Sequence, residues 1–146
     1  MKRMSSIILF SFFVLLSSTS FIYAVEPVAV IGLWRTKKSI EEEKAAIIEI
    51  YKCENKYCGK IAWLKDLEAL DKRNQDESKR RQKLVGLNLI WGFEFDDDEW
   101  VNGKIYNPEN GKEYKCSMWL EGNGILIVKG CLVAFFCKKQ TWYREN

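Results

Sequence analysis

The sequence predicts an all-β protein, an eight-stranded antiparallel up-and-down barrel, on three observations. Short segments alternate apolar and polar residues with a period of two, the pattern of half-buried strands. Turn-forming residues separate them closely enough for sequential neighbours to pair. Helical periodicity is scarce. Eight strands in a meander can close on themselves, which removes exposed edges and leaves an interior that holds side chains or one small ligand.

The first element lies outside that barrel. Lys2 and Arg3 precede an apolar run from Ile7 to Leu16, interrupted only by Ser11, and then Ser17-Ser18-Thr19-Ser20 and Ile22-Tyr23-Ala24. This is the layout of a secretory signal peptide over residues 1–24, cut after the small residue Ala24. The run is shorter than the roughly 20 residues that span a bilayer, so no stable membrane span is expected after cleavage. The mature domain, residues 25–146, is then expected in the periplasm or secreted.

That domain has 122 residues, enough for one hydrophobic core. It carries 21 basic against 20 acidic residues, and so near-neutral a balance gives no reason to expect nucleic acid as a partner. There is no histidine, which excludes Ser–His and Cys–His nucleophile pairs and histidine metal sites. An enzyme would have to work with carboxylates, Tyr or Lys alone, so a non-enzymatic protein without a cofactor is expected.

The eight strand segments run approximately Ile31 to Lys37, Ala45 to Cys53, Tyr57 to Leu64, Leu84 to Phe95, Glu99 to Tyr106, Lys112 to Leu120, Gly124 to Cys131 and Cys137 to Arg144. In the fourth, Val85, Leu87, Leu89, Trp91, Phe93 and Phe95 fall on one face, the expected core face. In the sixth, Tyr114, Cys116, Met118 and Leu120 do the same. Asp96-Asp97-Asp98, Asn107 to Gly111, and Glu121-Gly122-Asn123 supply hairpin turns. Asp96 to Glu99 is an acidic hairpin tip without the ligand spacing or turn glycine of a calcium loop, and no metal is expected there.

Lys65 to Lys83 breaks the pattern. Its 19 residues include seven basic and five acidic side chains and little apolar content beyond Leu67, Ala69 and Leu70, where a turn or two of helix is expected. Loops of this length are often functional, and this one could cover a barrel mouth. Within it, Lys79 to Lys83 reads as a solvated basic run.

Five cysteines fall in the mature domain, where an oxidising compartment would pair them. Cys53 and Cys58 bracket four residues that can form a hairpin loop, which would bring them opposite each other at disulfide distance. Cys131 and Cys137 bracket Leu132-Val133-Ala134-Phe135-Phe136 in the same way, leaving Cys116 as a buried thiol. The loop between Cys131 and Cys137 is strongly apolar, and is expected to tuck into one end of the barrel in preference to meeting a membrane or partner.

Gly32-Leu33-Trp34 near the start and Trp142-Tyr143-Arg144 at the end suggest a lipocalin-type closure, in which an arginine of the last strand lies across the ring of the first strand's tryptophan. With Cys58-Gly59-Lys60-Ile61-Ala62-Trp63-Leu64, the Asp71 to Asn74 loop, Val85-Gly86-Leu87, Gly103 to Pro108, Gly111 to Tyr114 and Gly130-Cys131-Leu132, the chain resembles the DUF2147 family of exported bacterial proteins, whose function is unknown. The resemblance implies a lipocalin-like barrel and brings no catalytic residues; Cys116 departs from its pattern. Two functions follow from the apolar interior. One is binding of a small apolar or amphipathic ligand by residues such as Trp63, Leu89, Trp91, Phe93, Tyr114 and Met118. The alternative is an envelope-associated protein-interaction module whose barrel is solidly packed.

Overall fold

The computed structural model describes residues 25–146; the expected signal peptide lies outside the described residues. A short 3₁₀ turn, Pro27–Val30, leads into eight strands: β1 (Gly32–Arg35), β2 (Ala46–Cys53), β3 (Lys56–Leu64), β4 (Asn88–Asp96), β5 (Glu99–Asn107), β6 (Lys112–Leu120), β7 (Ile125–Val133) and β8 (Phe136–Arg144). Each pairs antiparallel with the next, and β8 pairs back onto β1 through Trp34 opposite Arg144, closing the barrel. The predicted meander is therefore the fold. No described helix is long and apolar enough to cross a membrane.

Alternating hairpins define two ends. The β2–β3, β4–β5 and β6–β7 hairpins gather with the 3₁₀ turn at the closed end; the β5–β6 and β7–β8 hairpins and the 65–83 excursion form the opposite rim. The closed end is filled by side chains. Trp34, Trp100, Trp142, Phe93, Ile48, Ile50, Met118 and Leu126 have no solvent exposure and belong to one core cluster. The Trp100 ring meets Tyr57 edge-on at 6.2 Å and Phe95 at 5.0 Å, arrangements favoured by the aromatic quadrupole.

Arg144 sits 4.1 Å from the centre of the Trp34 ring, as the lipocalin-type closure predicts. Its guanidinium donates to the carbonyls of Ala29, Ile31 and Asn123, while the Trp34 indole donates to the Val30 carbonyl at 2.8 Å. One cation thereby ties the entry turn, the β6–β7 hairpin and the last strand to a single aromatic ring. Burial pulls the Arg144 pKa below its usual value, and the carbonyl oxygens around it supply the compensating acceptors.

The fourth segment departs from strict alternation. Ile90 and Phe93 are both fully buried, three residues apart, although period two cannot place both on one face. Gly92 between them adopts φ 78°, a left-handed conformation open to glycine, and the β3–β4 register shifts over this stretch. The strand is bulged. Trp91 consequently pairs with Lys104, which is half-exposed and reaches Glu113, so the expected core position of Trp91 is replaced by one on the outer wall. The strand also begins at Asn88; Leu84 to Leu87 form a bend in which the Gly86 and Ile61 amides donate to the carbonyls of Ile61 and Leu87.

Both disulfides form. The β2–β3 turn is tighter than the bracket of four residues implies: Cys53 lies opposite Lys56, so the bond to Cys58 runs diagonally across the pair, with the Cα atoms 5.8 Å apart. Cys131 and Cys137 are direct partners at 4.0 Å. Cys116 is free and buried, and burial pushes its thiol up to about 12.

The apolar loop between Cys131 and Cys137 does not tuck into the barrel. Strand pairing continues to Val133 opposite Phe136, which leaves only Ala134 and Phe135 as the turn. So short a turn has no slack to fold back, and Phe135 and Phe136 project into solvent.

Candidate functional site

The polar excursion forms one wall of an open concavity. No helix forms at Leu67 to Leu70; Leu70 instead makes an isolated bridge to Lys83, and the one helical turn is 3₁₀, Glu77–Lys79. Asp76 caps that turn by accepting from the Ser78 hydroxyl and the Ser78 amide, which together hold its carboxyl below the ordinary range. The basic run is locally neutralised, with Arg80 on Glu77 at 3.0 Å and Lys83 on Glu68 at 2.7 Å.

Asp71 pins the excursion to the barrel. It is the one buried charged residue among those described, and it is fully enclosed. The Tyr106 hydroxyl donates to one of its carboxyl oxygens at 2.7 Å and the Asn74 amide to the other at 2.6 Å. Burial, and then the Asp71 carboxyl beside it, push the Tyr106 phenol above its ordinary range, so it remains a hydrogen-bond donor. Gly111 completes the attachment. It adopts φ 69°, and a Cβ there would strike the Arg73 carbonyl, so the excursion backbone lies directly on the β5–β6 hairpin. The oxygens of Asp71, Asn74 and Asp76 are thus engaged in protein hydrogen bonds.

Between the excursion and the wall of β4 to β6 lies an open cleft of about 790 Å³. Leu87, Trp91, Tyr106 and Leu132 give it apolar surface from the barrel side, and Gln75, Lys79 and Gln82 among others face them from the excursion. Tyr106 is opposite Glu113 across β5–β6, and Trp91 is opposite Lys104 across β4–β5, which places the cleft on the outside of the barrel wall.

The six residues expected around a ligand are distributed over three environments. Leu89, Phe93 and Met118 are in the packed core. Trp63 and Tyr114 are half-buried, with the Tyr114 hydroxyl accepting from the Asn110 amide at 2.7 Å. Trp91 alone among the six lines the cleft. Sequence reasoning did not assign Tyr106, Leu87 or Leu132 to a site. Their signal was present only as motif residues, since nothing local to Tyr106 indicates that Asp71 will cover it.

A closed eight-stranded barrel with an arginine laid over the first-strand tryptophan defines this protein as a lipocalin-like barrel. Residues 32–144 match the family model described as "Uncharacterized protein conserved in bacteria (DUF2147)", and the chain belongs to that family. A solved structure, protein HP1028 from the human pathogen Helicobacter pylori, described as belonging to the lipocalin family, superposes with a TM-score of 0.69 at 21% identity, over 80% of this chain and 82% of that one. At that identity the likeness is one of fold. No curated protein matches the chain.

Proposed function

We propose that this is an exported, non-enzymatic binding protein that takes a small amphipathic molecule in the cleft beneath the 65–83 excursion. The observation that carries the reading is the cleft itself. Its volume of about 790 Å³ lies within the range of small-molecule sites, and one wall is apolar while the other is polar. An amphipath would lay its apolar part on Trp91, Leu87 and Leu132 and turn its polar part toward Gln75, Lys79 and Gln82. The filled closed end supports placing the ligand on the wall and not deep in the barrel.

Export is supported by the Lys2-Arg3 and Ile7 to Leu16 arrangement and by two disulfides of a kind that persists in oxidising compartments. The intact mass of protein recovered from the periplasm or medium should correspond to a chain beginning at Val25; a full-length membrane-held species would reject export.

Native mass spectrometry of the protein purified from its own host should show a bound small molecule. Trp91→Ala should reduce its retention while leaving the melting temperature near that of the parent, because Trp91 lies outside the core cluster. The packed interior favours a second reading, an envelope-associated interaction module. If no bound species appears, and lipid and small-molecule screens leave tryptophan emission and melting temperature unchanged, the second reading replaces the first.

A further inference from the structure

The β7–β8 hairpin ends in apolar side chains held in water. Phe135 is 93% exposed and Phe136 75%, with Leu132 and Val133 each more than half exposed. Two constraints keep them there: the two-residue turn between Val133 and Phe136, and the Cys131–Cys137 disulfide at its base. Phenylalanines fixed in solvent by a cross-link are out of keeping with a chain that buries Trp34, Trp100 and Trp142 completely.

The hairpin is also basic. From Ile125 to Arg144 there is no Asp or Glu, while Lys129 and Lys139 face each other across the pair and Lys138 follows the disulfide. The same rim receives Lys37, Lys38 and Lys44 together with Glu41, Glu42 and Glu43 from the segment between β1 and β2, a balanced set. Lys44 above all, and then Lys138 and Lys37, act on the carboxylate of Glu109. The excess of cations at the tip therefore belongs to the hairpin itself.

We propose that the β7–β8 tip is a membrane-docking finger: Phe135 and Phe136 enter the acyl boundary of an anionic phospholipid bilayer while Lys129, Lys138 and Lys139 meet lipid phosphates. Amphipathic projections of this kind bind through buried apolar area combined with attraction to anionic headgroups. Charge and area select a bilayer over a protein. Two copies meeting tip to tip would bring like charges together without a carboxylate on either hairpin. The four apolar side chains offer on the order of 500 Å², short of the roughly 800 Å² that each partner buries in a standard protein interface. Leu132 is shared with the cleft, whereas Phe135 and Phe136, which carry the insertion, do not line it.

Flotation of residues 25–146, which contain the whole barrel and its core, tests the proposal with vesicles of equal parts phosphatidylcholine and phosphatidylglycerol against vesicles of phosphatidylcholine alone. The protein should float with the anionic vesicles and bind the neutral ones at least about tenfold more weakly. Phe135→Ser with Phe136→Ser should abolish binding to both, and Lys138→Gln with Lys139→Gln should weaken anionic binding by roughly tenfold or more. All four positions are exposed, and losing the Lys139 ammonium from above the Trp119 ring costs little at an exposed site, so melting temperatures should stay close to the parent's and report intact folding. The proposal is overturned if wild-type protein ignores anionic vesicles, or if the double serine variant binds them as well as wild type. Self-association that the serine changes remove, without vesicle binding, also overturns it and makes the tip a contact between copies.

Discussion

The two ends of the barrel use the same strands in opposite ways. At the closed end, Trp34, Trp100 and Trp142 are fully buried, and the guanidinium of Arg144 has carbonyl acceptors as well as an aromatic face. At the rim, a highly charged excursion is tied down by one buried carboxyl, a cleft stays open beside it, and two phenylalanines stand in water. The contrast separates what makes the barrel stable from what it presents to other molecules. Disruption at the closed end should act on the whole fold, and disruption at the rim should act locally.

The largest effect should come from Trp34→Ala. Removing a fully buried tryptophan leaves a cavity that the surrounding strands cannot close, and the loss should be about 3–5 kcal/mol in urea unfolding. A loss below about 1 kcal/mol would mean that the closed end does not dominate stability.

At the rim, Asp71→Ala leaves the Tyr106 hydroxyl buried without its acceptor, a penalty of roughly 1–3 kcal/mol. The distinguishing readout is hydrogen exchange. Amides of residues 65–83 should exchange much faster while those of β6 and β7 stay protected until global unfolding. Uniform acceleration across the chain would erase the proposed division between the ends.

Cys53→Ser with Cys58→Ser opens a short loop at the closed end and should reduce stability by about 2 kcal/mol by chain entropy, without abolishing the fold. Peptide mapping of the unreduced parent should recover Cys53–Cys58 and Cys131–Cys137 links and one alkylatable thiol. Arg144→Ala should lower stability by roughly 1–2 kcal/mol, since its cation–π contact is partly desolvated. No change in its denaturation midpoint would show that the closure is geometric and not energetic.

Near neutral pH the smallest effect belongs to Cys116. Burial raises its thiol from 9.0 to about 12, so the folded state keeps the proton more tightly than the unfolded state. Its contribution to stability is therefore fully present below pH 9.0 and declines as pH rises from there to about 12. Native protein at pH 8.5 should resist a thiol reagent that labels Cys116 at once in denaturant. Rapid native labelling would show that the barrel wall opens there.

Much of the barrel was legible because period-two alternation and turn residues are local signals. Lys112–Leu120 has the bounds its alternation predicts, the expected turns join their neighbours, and the cysteine brackets correctly name both disulfides. Arg144 over Trp34 was also legible, through motif residues at the two ends of the chain. The site was less so. Trp91 is a candidate in both readings, yet alternation places it in the core because a pattern count has no means of seeing that Gly92 turns left-handed and resets the face.

What the sequence determined by itself was the number of strands, their order, their antiparallel pairing and the cross-links, because each depends on residues near one another in the chain or on a matched pair of motifs. Only the tertiary structure decided where polar and apolar surface would meet. Asp71 becomes buried because Tyr106, 35 residues away, comes to lie against it. The tip of the β7–β8 hairpin, whose composition reads as core, stays in solvent because a disulfide and a two-residue turn hold it straight. Burial is a property of the assembled surfaces, and hydrophobic composition states only which residues favour it.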